Sequence, residues 1–578
     1  MFKKFLTFAA ILFAAFFTTK ANAEPLEIWI YAERTPTNAA GSTYSYDIVE
    51  SDDIQEVSSV DILTSGPKGQ MSSLYIRGAD SDQSLITLNG ISIKDHSSPT
   101  GTDDLGQHNF TGINTVEIYK GPMSSLYGAN AAGGVVNLVS DVAYESYIGT
   151  GTGSNDLFTK EAQLSGNIEH LSYTLSFEGE QTDSISVYPN GEETDPFESE
   201  NYNLNFLYQG TQGNLRFNHI NENNFSNLDS NADTLDYTGK WKWTNNQIDF
   251  NNKSTRIAFN NSNHKRIYTK DNLLEGEYTS KTNTFYGSHL LSHKDVDILF
   301  GAEYEKVSAK FFTNIRGLFP YTSNVDKTRD TVGVFTKTNL IVDDYVLASG
   351  IRYDTIDGFG DKITGRLGVS KYGLRTSVSL GYRVPTLYEM YGKDNYGFTG
   401  NPNLTEEDTI SYEVGYANEF SDTAVFITQE KDAIVYSGTY VNDNAKSYTK
   451  GIENKLFFEV GGILIVNNLS IISAKTSNGD DKLRRPNVTN NTKFSKLVNN
   501  VLYSFDIDYY GKHKDLDSSN WQTISVDPVL TYNAEINYRK DNLELYTGLY
   551  NISNKEYQRP NGYSQLGRNW TAGFKIYF

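Results

Sequence analysis

The sequence predicts a transmembrane β-barrel of 22 antiparallel strands with an N-terminal α+β plug domain inside its lumen. Three observations lead to this fold class. The chain of 578 residues begins with an export signal, and its larger C-terminal part alternates apolar and polar residues in strand-length segments. The part between them is rich in small and turn-forming residues, which is typical of a separate compact unit.

The N-terminus has the composition of a secretory signal peptide. Two lysines precede an apolar stretch over residues 5–17, and Ala21 and Ala23 form a small-residue cleavage site. A membrane anchor is the alternative, but the apolar run is shorter than the ~20 residues that a spanning helix needs. We therefore expect residues 1–23 to be removed on export.

Period-two alternation dominates the chain from residue 147 to the C-terminus. In the last segment one face carries Trp570, Ala572, Phe574, Ile576 and Phe578. The other face carries Thr571, Gly573, Lys575 and Tyr577. Such alternation gives a strand one apolar and one polar face. A β-sandwich would show the same pattern, but long segments, aromatic residues near segment ends and a polar second face favour a barrel with a wet lumen.

The length of this region is compatible with a large barrel. About 430 residues spread over 22 strands leave about 20 residues for each strand and its connection, of which about ten cross the membrane. Sixteen strands would leave about 27 each, so length alone does not decide the number. The barrel must close, because an open sheet edge cannot satisfy its backbone in lipid. A barrel of this size needs a plug, which we expect at residues 41–143, with the barrel at residues 144–578.

Composition and motifs argue against several classes of function. The chain has no cysteine, which excludes disulfides and thiolate metal sites. Its net charge of −21 argues against nucleic acid as a partner. Its eight histidines form no metal-binding motif, and no carboxylate pair or phosphate-binding glycine loop stands out. We therefore do not expect an enzyme.

Four motifs in the N-terminal unit occur together in a characteristic order. They are Ile76-Arg77-Gly78, Leu88-Asn89-Gly90, Glu117-Ile118-Tyr119-Lys120-Gly121-Pro122, and Tyr127-Gly128 followed by Gly133-Gly134-Val135-Val136-Asn137. In this combination they resemble the plug of TonB-dependent outer-membrane receptors. Barrel segments at 382–392, 400–404, 412–416 and 551–557 are similar to the same family. Arg77, Glu117 and Lys120 are expected to pair inside the lumen, either as structural plug-to-barrel contacts or as part of transport.

Within that family the chain is most similar to the receptors for cobalamin, vitamin B12. Residues 69–78, 482–486 and 562–568 carry this similarity. It implies substrate-binding loops that contain Gln70, Met71, Ser72, Ser73, Ser97, Ser98 and Pro99. Short polar side chains and backbone groups suit a large corrinoid fringed with amides, whereas a ferric catecholate would favour clustered Arg, Lys or aromatic residues. An ordinary exposed turn is the alternative for residues 71–73.

The segment after the signal peptide resembles the TonB box of the family. It comprises Ile28, Trp29, Ile30, Tyr31 and Ala32, within a linker over residues 24–40. An extended apolar segment near a chain terminus can add as an edge strand to a partner sheet. The resemblance implies TonB, with ExbB and ExbD, as the periplasmic partner. Trp29 is bulkier than the usual small aliphatic residue, and the first strand of the plug is the alternative assignment.

Two loops early in the predicted barrel are rich in carboxylates. The candidate metal ligands are Asp183, Asp195, Glu198, Glu200, Asp229, Asp233 and Asp236. Ca²⁺ takes six to eight oxygen ligands, often from carboxylates on flexible loops, and cobalamin receptors order their extracellular loops with calcium in the corresponding region. The resemblance therefore implies structural Ca²⁺ and no other cofactor. No EF-hand pattern is present, and solvated acidic loops or divalent bridging to lipopolysaccharide are the alternatives.

Together these observations predict TonB-dependent active import of cobalamin across the bacterial outer membrane. The expected partners are TonB at the periplasmic face, cobalamin as transported ligand, and outer-membrane lipid and lipopolysaccharide around the barrel. A receptor of the same architecture for a ferric siderophore or another nutrient is one alternative. A soluble exported enzyme or adhesin on a β scaffold is the other, and extraction from membranes without detergent would favour it.

Overall fold

The structure is a computed structural model that describes residues 42–98, 101, 103–113, 115–189, 191, 193–229, 236–316, 320–393 and 399–578. The predicted signal peptide and TonB box lie outside the described residues. Among the described residues, no helix has the length and apolar character needed to cross a bilayer.

The N-terminal unit contains seven short strands. Their bounds are β1 Tyr46–Val49, β2 Val60–Thr64, β3 Ser72–Ile76, β4 Ser84–Leu88, β5 Ile91–Ser92, β6 Thr115–Lys120 and β7 Gly134–Val139. A five-stranded sheet has the order β1-β6-β7-β4-β5, in which only the β4–β7 pair is parallel, and β2 and β3 form a separate hairpin. Short helical turns at Ser51–Glu56, Ser81–Gln83, Leu105–Gln107 and Ser124–Tyr127 connect the strands.

Twenty-two antiparallel strands follow and form a closed barrel. Their bounds are β8 Tyr147–Gly153, β9 Phe158–Ile168, β10 Leu171–Thr182, β11 Phe197–Gly210, β12 Gly213–Asn227, β13 Tyr237–Asn251, β14 Thr255–Lys270, β15 Leu273–His293, β16 Val296–Ile315, β17 Tyr321–Val342, β18 Tyr345–Ile356, β19 Gly360–Lys371, β20 Leu374–Arg383, β21 Glu407–Ala417, β22 Ser421–Tyr436, β23 Tyr440–Val460, β24 Ile463–Lys475, β25 Val488–Val498, β26 Val501–Tyr510, β29 Val529–Lys540, β30 Leu543–Tyr550 and β31 Asn569–Tyr577. A helix at Leu387–Tyr391 and a hairpin of β27 His513–Leu516 and β28 Thr523–Val526 lie in connections. The predicted fold class, including the strand number, is confirmed.

The last strand closes the barrel against the first. In this pairing Tyr577 lies opposite Tyr147, and Thr571 lies opposite Gly153. The predicted apolar face of β31 is exposed on the outside, as Trp570 and Phe574 illustrate. On the inner face, Lys575 forms an ion pair with Glu161 at 2.8 Å. Period-two alternation therefore separates a lipid-facing wall from a polar lumen.

The two ends of the barrel differ in the length of their connections. At one end, tight turns such as residues 169–170, 343–344 and 541–542 join the strands. At the other end the connections are much longer, as at residues 384–406 and 551–568. Outer-membrane barrels have short periplasmic turns and long extracellular loops. The long-loop end is therefore the extracellular end.

The N-terminal unit fills the lumen and contacts the inner wall. One apolar cluster joins Ile76, Ile118 and Val136 of the plug to Ile220 and Trp243 of the barrel. The described chain starts in the half of the barrel that ends in the short turns, where Thr43 lies against Gly368. The guanidinium of Arg366, near the middle of the same strand, lies over the Tyr44 ring at 3.8 Å. Strand β7 ends at Val139 and β8 begins at Tyr147, so the predicted boundary at residues 143–144 lies in the connection between them and stays a prediction.

Candidate ligand site and plug contacts

A cavity of about 340 Å³ lies between the plug and the extracellular part of the barrel wall. Its plug side includes Gln70, Met71, Ser98, Asp103, Asp104 and His108. Its barrel side includes Glu222, Trp241, Trp243, His264, Arg266 and Tyr563. Both predicted substrate loops therefore contribute to one site, together with strands that the sequence did not assign to it.

The first loop joins β2 to β3 and is held against the barrel. Gly69 has a φ of +87°, and a Cβ atom there would overlap the Phe197 ring and lie 2.7 Å from Ser226 Oγ. Ser226 Oγ donates to the Gly69 carbonyl at 2.9 Å, and Gln70 Nε2 donates to the Asn227 carbonyl at 2.8 Å. A glycine is needed here because the backbone both adopts a left-handed conformation and approaches the wall closely.

The predicted substrate residues of this loop divide into two groups. Gln70 and Met71 line the cavity, and Met71 is 55% exposed. Ser72 is buried instead. Its hydroxyl donates to Thr64 Oγ1 at 2.9 Å, and its backbone N–H donates to Asp104 Oδ1 at 2.8 Å. Ser73 lies in β3 opposite Leu63 and is not part of the cavity lining, so the site comprises the loop tip rather than the strand.

The second loop is organised by Asp95. Its Oδ1 accepts hydrogen bonds from the Ser97 backbone N–H at 2.8 Å and from the Ser97 hydroxyl at 2.6 Å. Arg266 pairs with Asp95 at 3.0 Å and donates to the Ser97 carbonyl at 2.6 Å. Ser97 is completely buried, so its role is to hold the loop, while Ser98 lines the cavity. Pro99 lies outside the described residues.

An aromatic wall and a histidine–carboxylate pair complete the cavity. Trp241 and Trp243 line it, and His264 stacks on Trp243 with ring centroids 6.0 Å apart. His108 Nδ1 lies 2.8 Å from Glu222 Oε2, and its ring meets Trp243 edge-on. Sequence reasoning missed these residues. The tryptophans at alternating positions of β13 were a usable signal, but the sequence does not tell which strand faces the plug loops.

Burial and neighbouring charges shift the pKa values of two plug residues at this site, His108 and Asp104. Burial disfavours the charged imidazole, but Glu222 outweighs it and raises the pKa of His108 above its ordinary value. Burial also raises the pKa of Asp104 to about 6, although the N–H groups of Ser72 and Gly106 oppose the shift. The cavity therefore holds paired charges of both signs rather than a cationic cluster.

Three carboxylates meet beside the extracellular loops. Glu193, Asp195 and Asp229 have ligand oxygens within 4.8 Å of one another. Asp195 Oδ2 accepts from the Val187 N–H at 2.7 Å, and Asp229 Oδ2 accepts from the Tyr188 N–H at 3.0 Å. Two of the predicted metal ligands are thus brought together, with Glu193 as a third member.

The other predicted metal ligands lie apart from this group. Asp183, Glu198, Glu200 and Asp236 are not part of it. Glu200 instead pairs with Lys160 at 3.2 Å on the surface. Glu198 and Glu200 occupy exposed alternating positions of β11, whereas Ser199 between them contacts the plug through Asn109. Asp233 lies outside the described residues.

Ion pairs connect the plug to the inner wall of the barrel. Arg77 pairs with Glu413 at 2.7 Å and with Glu453 at 2.5 Å, and all three side chains are buried. Lys120 pairs with Asp47 at 2.8 Å, and Lys455 of the barrel pairs with the same carboxylate at 2.9 Å. The expectation that Arg77 and Lys120 each form ion pairs inside the lumen is therefore confirmed.

Glu117, the third charged residue of the plug motifs, contacts a neighbouring strand of the plug. It accepts a hydrogen bond from Asn137 Nδ2 at 2.8 Å within the plug sheet. Asn137 Oδ1 in turn accepts from the Gly90 N–H and from Thr87 Oγ1, at 2.7 and 2.8 Å. The carboxylate thus supports a polar network that fixes the motif turn at residues 88–90.

Family models match both parts of this architecture. The model for the TonB-dependent receptor plug domain matches residues 51–135, and the model for the TonB-dependent receptor-like β-barrel matches residues 137–552. The chain belongs to the TonB-dependent receptor family. It is therefore an outer-membrane transporter rather than an enzyme, and as a TonB-dependent receptor it works with TonB and a transported ligand.

Relatives of this receptor include the "Vitamin B12 transporter BtuB" of Vibrio cholerae. The two are 23% identical over 95% of this chain and 95% of the relative. The protein of the same name from Vibrio vulnificus is 22% identical over 91% of this chain and 89% of the relative. The predicted resemblance to the TonB-dependent receptors, and within them to BtuB, is confirmed.

Solved structures with the same fold include siderophore receptors. PirA from Acinetobacter baumannii has a TM-score of 0.77 at 16% identity and covers 93% of this receptor and 99% of its own chain. The ferric yersiniabactin receptor FyuA from Yersinia pestis has a TM-score of 0.72 at 17% identity, with coverage of 93% and 98%. At such low identity the likeness concerns the fold alone.

Proposed function

We propose that this TonB-dependent receptor imports cobalamin across the outer membrane. The observation that carries the proposal is the charge pattern of the extracellular cavity. Arg266 is matched by Asp95, and His108 is matched by Glu222. Of the two lysines in the lining, Lys265 is matched by Glu277, and Lys242 is set against the carboxyl groups of Asp103, Asp104 and Asp229. Such a site disfavours a strongly anionic ferric catecholate, which needs a surplus of cations.

The lining of the cavity also suits the amide-fringed edge of a corrinoid. Backbone groups and short polar side chains at the loop tips, such as Gln70 and Ser98, can hydrogen-bond to peripheral amides. Trp241 offers an apolar ring to a macrocycle, whereas Trp243 is buried against His264 and His108. The BtuB relatives, which match almost over their full length, bear the name of a vitamin B12 transporter.

Transport then requires a conformational change that ligand binding triggers. We propose that cobalamin on the 65–71 and 95–98 loops favours a state in which residues 28–32 are available to TonB, which ExbB and ExbD energise. A ligand shifts such an equilibrium only if it binds one state more tightly. The described part of the plug starts in the periplasmic half of the barrel, where Arg366 covers Tyr44.

The test is equilibrium binding of cyanocobalamin to the full-length receptor purified in detergent, with ferric enterobactin as the competing class of ligand. Saturable, tight binding of cyanocobalamin with no measurable binding of the ferric catecholate is the expected result. Binding of the catecholate alone would overturn the proposal for cobalamin and leave the receptor family unchanged.

A ferric-siderophore receptor is the second candidate function. PirA and FyuA, which are named as a siderophore receptor and a ferric yersiniabactin uptake receptor, share this fold over more than nine-tenths of the chain, so the architecture is compatible with this function as well. Iron-regulated expression without cobalamin binding would favour this candidate. The paired charges of the cavity argue against it for catecholates.

We propose in addition that Glu193, Asp195 and Asp229 hold a structural Ca²⁺. The three residues supply only oxygen ligands, which is what a hard divalent cation prefers. The carboxylates come from the loop at residues 183–196 and from the loop that follows β12, so an ion would join both loops. Its chemistry would be charge neutralisation, because three close carboxylates repel one another in its absence.

A further inference from the structure

The inner wall of the barrel is lined with amide side chains directly below the ligand cavity. Three cavity residues, Glu222, Trp243 and His264, lie side by side on β12, β13 and β14. Further towards the periplasm, the inward-facing positions of β11 to β14 carry six buried amides, here called the amide band: Asn203, Asn205, Asn218, Asn245, Gln247 and Asn260. The band therefore begins where the cavity ends and continues towards the short-turn end.

The strand register makes the amide band a continuous uncharged surface. Asn205, Asn218, Gln247 and Asn260 lie opposite one another in one row across four strands. Asn203 and Asn245 belong to the row above it. The other inward positions of these two rows, as far as β15, are also uncharged: Ile220, Ser262, Thr282 and Thr284.

Neutral hydrogen bonds join the plug to the amide band. Ser140 Oγ of the plug accepts from Asn218 Nδ2 at 2.9 Å and from Asn203 Nδ2 at 3.1 Å. Asn89 Nδ2 of the plug donates to Gln247 Oε1 at 2.9 Å. Separating these groups leaves no charge without a counter-charge.

Charged contacts on this side of the plug lie at the two edges of the band. Arg266 pairs with Asp95 at the cavity, and Arg216 pairs with Asp141 at 2.9 Å at the periplasmic edge. The Asp141 carboxylate is half exposed, and ion pairs on exposed surface contribute little. The plug is therefore held against the band mainly by neutral contacts.

The opposite wall, over β18 to β23, holds the plug through buried cations. Arg77 of the plug pairs with carboxylates on β21 and β23, and Arg383 of β20 pairs with Asp82 of the plug at 3.3 Å. Arg352 of β18 donates to the Leu126 carbonyl of the plug at 3.0 Å. All three guanidinium groups are buried. Because separating a buried charge from its partner costs far more than separating two neutral groups, the plug is held more tightly here than at the amide band.

Four of the six band amides keep unused hydrogen-bonding capacity. Within the part of the chain that the structure describes, Oδ1 of Asn205, Asn218 and Asn245 and Nδ2 of Asn260 have no hydrogen-bond partner, although all four side chains are buried. Buried polar groups are normally paired, so these atoms call for an explanation. A ligand that carries primary amides can pair with all of them, because such groups both donate and accept.

We propose that the amide band is the surface along which the cargo crosses the barrel. When TonB pulls on the N-terminal segment, the plug separates from β11 to β15 and stays attached to β18 to β23. The peripheral amides of the cargo then pass from the cavity to the amides of the band. The inference rests on the proposed function, because the band suits an uncharged cargo fringed with amides.

Two disulfide locks test this route in a chain that has no cysteine of its own. A Cβ atom at Gly112 of the plug would lie 3.1 Å from Asn203 Cβ, and one at Gly350 of β18 would lie 3.5 Å from Ser125 Cβ of the plug. Disulfides join Cβ atoms about 3.5–4.5 Å apart, so a small shift suffices for the first pair. Gly112 has a φ of +69°, and the single variant Gly112→Cys controls for backbone strain.

The two locks are expected to differ in uptake of radiolabelled cyanocobalamin by cells. Oxidised Gly112→Cys/Asn203→Cys should lose uptake and regain it on reduction, because the lock closes the band. Oxidised Ser125→Cys/Gly350→Cys should still import the vitamin. Binding of cyanocobalamin by the oxidised receptors is measured first, so that a loss of uptake is not a loss of ligand. Equal loss of uptake in both locked forms, or loss in the second alone, would overturn the inference.

Thiol labelling in cells tests the route without a lock. Asn245→Cys places a thiol in the band, and Ser470→Cys places one on β24, where Ser470 Oγ lies 2.8 Å from Ser59 Oγ of the plug. Both wall positions are completely buried at rest. During uptake of cyanocobalamin, a small water-soluble maleimide is expected to label Asn245→Cys and to spare Ser470→Cys. Labelling of Ser470→Cys at least as fast as Asn245→Cys would overturn the inference.

Failure of the route and failure of the proposed cargo give different results. A wild-type receptor that binds and imports cyanocobalamin, with no difference between the locks or between the thiols, would overturn the route alone. A wild-type receptor that binds no cyanocobalamin would overturn the proposed cargo and with it the amide chemistry of the route.

Discussion

Arg77 of the plug donates from Nη1 to Glu413 Oε2 of the barrel at 2.7 Å, although 336 residues separate them in the chain. The same guanidinium donates to Glu453 from Nε and Nη2, at 3.2 and 2.5 Å. Burial disfavours its charge, but the two carboxylates hold the pKa of Arg77 above its ordinary value. One buried cation therefore holds the plug to two separate barrel strands.

Replacing Arg77 by alanine is expected to loosen the plug within an intact barrel. The change leaves Glu413 and Glu453 buried without their main counter-charge, which costs about 3–5 kcal/mol when one partner of a buried pair is removed. Hydrogen exchange of residues 72–78 and 115–120 is expected to accelerate strongly, while barrel strands exchange as before.

The triple variant Arg77→Met/Glu413→Gln/Glu453→Gln is the matched control. It removes the ion pairs of Arg77 without leaving either carboxylate charged, and Arg375, which also contacts Glu413, keeps its ion pair with Asp422 at 2.6 Å. Most of the slow exchange is therefore expected to return. Equal exchange in the wild type and the alanine variant would show that the ion pairs do not hold the plug.

Replacing Arg266 by alanine is expected to weaken ligand binding. This side chain pairs with Asp95 and donates to the Ser97 carbonyl, so it fixes the second cavity loop. Hydrogen bonds of charged groups contribute about 1.5–3 kcal/mol, and losing them corresponds to roughly tenfold to hundredfold weaker binding. Titration with cyanocobalamin measures the effect. Arg539→Ala, at a periplasmic site where Arg539 pairs with Glu145, is the control and should bind normally.

The barrel could be predicted because its constraints are local. A strand in lipid must alternate, and residues such as Trp570 and Phe574 are exposed on the side that the pattern assigned to lipid. Closure follows from the need to satisfy every backbone group in the membrane. The plug motifs were assigned by their resemblance to the family, and the structure places their glycines in turns with positive φ, as at Gly78 and Gly90.

The ligand site could be predicted only in part. Gln70, Met71 and Ser98, which line the candidate cavity, were predicted because their loops resemble those of the cobalamin receptors. His108 and Glu222 were missed because their contact joins residues 114 apart. Such a contact depends on the orientation of the plug and on the register of β12, and neither can be predicted from the local sequence. Asp195 and Asp229 meet for a similar reason, since adjacent strands bring their loops together.

The protonation of His108 is expected to depend on Glu222. Because its folded pKa is raised above about 6.5, the ion pair stabilises the protein fully below pH 6.5 and the contribution is lost as pH rises through the folded pKa. Asp103 and Asp104 act in the same direction as Glu222. Replacing Glu222 by glutamine leaves burial as the dominant effect and should lower the pKa of His108.

Histidine NMR titration measures this change. The signal of His108 is assigned by its loss in a His108→Gln variant. An unchanged titration of His108 in Glu222→Gln would contradict the assignment of Glu222 as the charge that holds the imidazole protonated.

Calcium is expected to slow hydrogen exchange in the two loops that carry Glu193, Asp195 and Asp229. An ion shared by these carboxylates would cross-link the loops and favour the conformation that forms the cavity. The protection should disappear on addition of a chelator and in Asp195→Asn/Asp229→Asn. Glu198→Gln/Glu200→Gln removes two carboxylates that are not part of the group and should retain the effect. Equal loss in both variants would point to general charge screening.

Deleting residues 28–32 is expected to abolish cobalamin uptake and to leave cyanocobalamin binding unchanged. The ligand cavity lies at the extracellular end, whereas the described part of the plug starts in the periplasmic half of the barrel, where Arg366 covers Tyr44. The two steps therefore use opposite ends of the plug. Binding is measured on the purified receptor and uptake in cells that depend on exogenous vitamin. Loss of both in a folded barrel would contradict this division, because the N-terminal segment would then contribute to the ligand site itself.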